Sequence, residues 1–131
     1  MKALRVVLLL VAFAAVTATC GGPVEPTSGW VDLQLTTPNT RDGGIMFTVG
    51  GAAVDSVRSS YPRLFTRQVS ESSWQVIVAG SLSSGVIAQI HVPNIEKLGS
   101  YAATPIQVAG QDFAQRSITG YSLTVEKQTG Q

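Results

Sequence analysis

The chain of 131 residues contains one cysteine, Cys20, and one histidine, His91. That inventory bounds the chemistry before any element is placed. One His and one Cys cannot assemble a zinc site, and a lone cysteine forms no intramolecular disulfide. A Ser-His-Asp hydrolase would have to use His91, which stands among strand-forming residues just before Pro93, and no Gly-x-Ser-x-Gly elbow accompanies it. His91 is therefore expected to be an ordinary half-exposed strand residue. Gly80 and Gly85 bracket a serine-rich stretch (Ser81, Ser83, Ser84), but no Lys-Ser/Thr follows, so the segment reads as a hairpin loop and implies no nucleotide or other cofactor. Asn39, Asp42 and Gly43 offer oxygen ligands without the spacing of a calcium loop. Asp42 and Asp112 are expected to set turns and hold no metal. The remaining acids (Glu25, Asp32, Asp55, Glu71, Glu96, Glu126) are likewise expected in turns or on wet strand faces. Aromatic rings are the other resource. Trp74 shares parity with Val76 and Val78, and Tyr121 with Leu123 and Val125, so both read as core. Trp30 and Tyr61 flank loops and are the aromatics expected to contact a ligand, as a glycan-stacking platform does.

The elements that must position these groups are short and alternate with period two. Val31, Leu33 and Leu35 interleave with polar residues, Ile45, Phe47 and Val49 follow the turn cluster Pro38 to Gly44, and weaker strands are predicted over 53–58 and 64–69. Trp74, Val76 and Val78 lead to the serine loop. Beyond it Val86, Ala88, Ile90 and Val92 share one face, with Ile87, Gln89 and His91 on the other. Tyr101 to Val108 and Tyr121 to Val125 complete the set. Tyr101 and Ala103 differ in parity from Ile106 and Val108, and a bulge at Thr104-Pro105 would bring all four to one side. Past residue 20, no window of eleven residues keeps a helical period free of Gly or Pro. The prediction is all-β: a single antiparallel sandwich of about seven to nine strands over residues 30–127, with residues 128–131 as a disordered tail.

The first nineteen residues have a different texture. Lys2 and Arg5 precede an unbroken apolar run from Val6 to Val16, the n-region and h-region of an export signal. Eleven residues reach about 16 Å as a helix, roughly half a bilayer core. Residues 1–19 are read as a signal peptide and Cys20 to Gly29, rich in Gly and Pro, as a flexible tether. Cleavage after Ala18 would release a soluble secreted chain. The alternative uses Cys20: its place just past the h-region, before Gly21-Gly22-Pro23, resembles the lipobox of bacterial lipoproteins, imperfect at Thr17 and Thr19. That resemblance implies lipid attachment at Cys20, cleavage before it, and anchoring to a bacterial membrane facing the periplasm or the cell exterior. Two or more acyl chains anchor stably where one does not. Losing Lys2 and Arg5 turns the net charge of +1 into −1, which leaves no electrostatic footprint for nucleic acid.

Two resemblances touch the body. Leu98-Gly99-Ser100-Tyr101 and the strand after it are similar to the tyrosine corner of immunoglobulin-like and fibronectin type III domains. The order Ile45–Val49, Val76–Gly80, Val86–Val92, Gly120–Val125 resembles cohesin-type sandwiches. Each implies a β-sandwich that binds something, and neither carries a site. The functional expectation is an exported, lipid-anchored, non-catalytic binding or structural module of the cell envelope with a protein or glycan partner. The competing expectation is a small extracytoplasmic hydrolase or carbohydrate-binding module with a loop-built site, which predicts two convergent acids or a serine near His91.

Overall fold

The computed structural model describes residues 25–128; the segment expected to be a signal peptide, Cys20, the start of the expected tether and residues 129–131 lie outside the described residues. Nine strands follow in order: β1 Gly29–Thr36, β2 Asp42–Gly50, β3 Ser56–Arg58, β4 Arg63–Ser70, β5 Ser73–Leu82, β6 Gly85–Val92, β7 Ala102–Gly110, β8 Gln115–Arg116 and β9 Ser122–Lys127. Among the described residues the one helical element is a kinked 3₁₀ segment, Ile95–Ser100, capped by Asn94, whose side chain accepts from the Glu96 amide. The strands form two antiparallel sheets, ordered β3-β6-β1-β9 and β4-β5-β2-β7-β8. This is the expected all-β sandwich.

Period-two alternation builds the core. Val31, Leu33 and Leu35 from one sheet face Ile45, Phe47, Val49, Val76 and Val78 from the other, all at 2% exposure or less. Each such side chain contributes about 1.5–3 kcal/mol by leaving water. Aromatic polar tips tie the loops to this core. The Trp74 indole donates to the Val54 carbonyl at 3.1 Å and the Tyr101 hydroxyl to Ala53 at 2.5 Å. Both hold the β2–β3 connection. Tyr101 reaches a loop 48 residues upstream in sequence, whereas a tyrosine corner closes on backbone a few residues before the ring.

Three local expectations need correction. On β6 the register against β1 shifts opposite Leu33 and Gln34, so Ile87 turns inward and is buried while Val86 turns out. On β7 the shift falls at Ile106, not at Thr104-Pro105; Pro105 keeps the inward parity of Tyr101 and Ala103, and Ile106 is 40% exposed. A bulge adds one residue to a strand and resets which face the following residues occupy. The third correction is at Asp42. It opens β2, pairs with Leu82 and Gly110, and is fully buried instead of setting an exposed turn.

Candidate functional site

The outer face of the five-stranded sheet carries a concavity. Register places Phe65, Ile77, Met46 and Gln107 in one cross-strand row, and Arg63, Ala79, Gly44, Ala109 and Gln115 in the next. The second row is floored by residues with little or no side chain, so it sinks below its neighbours. Two adjoining depressions of about 230 and 480 Å³ result, sharing Gly44, Ala109 and Phe113. Arg63 and Pro62 wall one side, and Gln111 and Phe113 the other.

Phe113 is the unusual member. Its ring is 94% exposed, and its φ of +64° lies in the left-handed region, the one non-glycine residue there among those described. Left-handed backbone costs an ordinary residue roughly 1–2 kcal/mol. The β7–β8 turn holds it in place: Gly110 donates to Ala114, Phe113 to Gly110, and the Ala114 amide to the Asp112 carboxylate. A large apolar ring is thus kept in water, at a cost in strain, over the small-residue floor. Such outliers concentrate at ligand-contacting sites.

The turn is braced from below by Asp42. One carboxylate oxygen accepts from Arg116 at 2.7 Å and from the Tyr121 hydroxyl at 2.8 Å, the other from the Thr37 hydroxyl at 2.6 Å. Asn39 in turn donates to the Tyr121 hydroxyl. Contact with Tyr121 and with Asp42 holds the Arg116 guanidinium further above its already high ordinary value. Arg116 lies on β8 and crosses Gly110 so closely that a Cβ there would sit 2.8 Å from its Nε. Gly43, beside Asp42, presses on the same place: a Cβ would fall 2.4 Å from the Gly110 carbonyl oxygen. The carboxylate of Asp42 is consumed by these bonds. No group of three or more His, Cys, Asp or Glu among the described residues is placed to hold a metal ion.

Trp30 and Tyr61 do not share a site. Trp30 lies on the outer face of the four-stranded sheet, where His91 meets it edge-on at 5.2 Å and the Arg58 guanidinium stacks 3.9 Å above its ring. Cation–π stacking of this kind occupies a face that a sugar would use. Arg58 continues to Gln89, and Gln89 to Asp32, at 2.6 and 2.7 Å. Gln128 also donates to Asp32. Tyr61 packs at the opposite end of β6, near Ser59 and Gly80, about 13 Å away along the strand.

His91 is less isolated than its sequence context suggests. Its Nδ1 lies 3.0 Å from Asp55, which the β2–β3 connection presents beside it. Ser56 is its cross-strand neighbour, yet the side-chain partners of His91 are Asp55 and Trp30, and the group lies on an open sheet face. The serine-activating bond of a hydrolase is not formed there.

Sequence reasoning missed Phe113 and the glutamines around it. A bulky aromatic directly after the turn-rich run Gly110-Gln111-Asp112, with no alternating partner, was the available signal. No known protein family, curated protein or solved structure matches the chain.

Proposed function

We propose that this protein is an exported, lipid-anchored, non-catalytic module of the bacterial cell envelope that binds a glycan on the outer face of its larger sheet. Lipid on Cys20 tethers it to the membrane, and the residues between Cys20 and β1 space the body from the surface. The observation that carries the binding role is Phe113, strained and exposed above a floor of Gly44, Ala79 and Ala109. Gln107, Gln111, Gln115 and Arg63 surround that floor, and among the described residues no carboxylate lines it. Primary amides both donate and accept, which matches sugar hydroxyls. An exposed ring packs against the C–H face of a pyranose, and a shallow open floor admits an extended chain.

Retention on immobilised envelope polysaccharide tests the reading. The full chain should be retained and Phe113→Ser should elute early with its fold intact. Equal elution of the two, or passage of both without delay, overturns it.

A further inference from the structure

The small-residue floor belongs to a longer strip of the same outer face. Arg63 stands at the end of the floor away from Phe113, three strand spacings or about 14 Å from β7. Beyond the Phe65 row, register sets Arg67, Gln75, Thr48 and Thr104 in a third cross-strand row. Arg63 and Arg67 are both exposed and four residues apart, about 13 Å along β4. Phe65 stands between them on the same side, 60% exposed. None of the three rows contains Asp or Glu. Neither arginine has an ion-pair or hydrogen-bond partner among the described residues. Arg58, Arg116 and Lys127, by contrast, are engaged with Gln89, Asp42 and Glu96. The outer face of the smaller sheet has the opposite character: Asp32 lies across from Glu126 and Asp55 beside His91, with Arg58 among them. Charge is therefore segregated between the two faces, although the chain as a whole is close to neutral.

We propose that the glycan bound on this face is acidic: a chain of several sugars carrying ring carboxylates, of which Arg63 and Arg67 each address one. This assignment rests on the glycan reading of the same face and names the class of sugar. A guanidinium presents its donors in a planar fork that matches a carboxylate. With both cations unpaired and no acid in the three rows, the face is complementary to an anion and repels none. A separation of about 13 Å exceeds one sugar ring. The two forks therefore meet acid groups on different sugars of one chain, and a single uronic acid reaches only one of them. Phe113 and Phe65 offer rings for sugar faces, which favours charge carried on the sugars over phosphodiester links that interrupt them. Exposed ion pairs are individually weak, about threefold in affinity each, and salt weakens them further.

The test titrates the full chain in detergent solution with oligomers of alginate, polygalacturonate and hyaluronate. Each is compared with the same oligomer after its carboxyl groups are reduced to alcohols. Polyglutamate of matched charge supplies carboxylates without sugars. At low salt at least one acidic oligomer should bind about tenfold more tightly than its reduced form, with the difference shrinking as salt rises. Polyglutamate should bind no better than the reduced sugars. Arg67→Gln should lower the ratio of acidic to reduced affinity about threefold, and Arg63→Gln with Arg67→Gln should remove the preference. Lys97→Gln takes one positive charge from the 3₁₀ segment and should leave the ratio as it was. Thermal melts of each variant confirm that the fold is kept. Equal affinity for acidic and reduced oligomers overturns the acidic assignment and leaves the glycan reading standing, whereas binding of neither form overturns both. Polyglutamate bound as tightly as the acidic sugars, or a ratio indifferent to the two arginines, also overturns the assignment.

Discussion

Replacing Phe113 with asparagine should make the protein more stable and a poorer binder, and the size of the gain follows from the structure. The ring is 94% exposed, so truncation forfeits about 6% of its surface as burial. For an aromatic side chain of about 200 Å² that is roughly 12 Å², or about 0.3 kcal/mol at 25 cal/mol per Å². Against this stands relief at φ +64°. Asparagine enters the left-handed region readily because its short polar side chain bonds locally, and the penalty for other residues is roughly 1–2 kcal/mol. The net expectation is a gain of about 0.7–1.7 kcal/mol. For a domain of this size that raises Tm by about 4–10 °C. Urea denaturation and a thermal scan on the same samples measure it, with the slope of the urea transition checked for constancy. The alternative is that Phe113 packs against something essential to folding. A loss of stability greater than about 0.5 kcal/mol would refute the strain argument, and with it the claim that this residue is held out for a ligand.

Three further outcomes are expected. Asp42→Asn leaves the shape but removes the charge that Arg116, Tyr121 and Thr37 address. It should cost about 2–4 kcal/mol in urea denaturation, toward the low end because the Arg116 side chain is one-third exposed. Tyr101 titrates above its ordinary value of 10.0, through burial first and the nearby Asp55 charge second. Its contribution to stability is therefore complete below pH 10 and is lost as pH rises from there through the folded-state value. Melting curves from pH 8 upward should fall less steeply for Tyr101→Phe, which starts about 1 kcal/mol lower because the bond to Ala53 is gone. Metabolic labelling with a fatty-acid probe should mark the full chain, and Cys20→Ser should abolish the label. Labelling that survives the substitution removes the lipid from the account.

Much of the sandwich was legible because burial on a pleated sheet repeats every second residue. Val31 to Leu35 and Ile45 to Val49 announce their buried faces without help from the rest of the chain. The pattern fails at bulges. Val86, Ala88, Ile90 and Val92 look like one face, but the extra residue at Ile87 reverses the first of them, and Ile106 is turned out in the same way. A bulge depends on what the neighbouring strand requires, and local sequence does not carry that. The site was less legible still. Asp42 sits among turn formers, yet two donors from distant segments, Arg116 across 74 residues and Tyr121 across 79, join the nearby Thr37 hydroxyl and allow the charge to be buried. The floor of Gly44, Ala79 and Ala109 exists only after three strands are placed side by side. Trp30 and Tyr61 were conspicuous as residue types, but their packing gives them separate neighbourhoods. The strongest candidate instead sits in a tight turn.

Calorimetric titration of the full chain with soluble glycan fragments released from the envelope measures the proposed binding itself, with Gly44→Leu as the control. A Cβ at Gly44 would lie 3.5 Å from the Val78 carbonyl oxygen, ordinary contact, so the leucine fills the floor without disturbing the sheet. Saturable binding by the unsubstituted chain, weakened at least tenfold by Gly44→Leu at unchanged Tm, is the predicted result. Binding that is indifferent to Gly44→Leu, or no heat from any fragment, would contradict it.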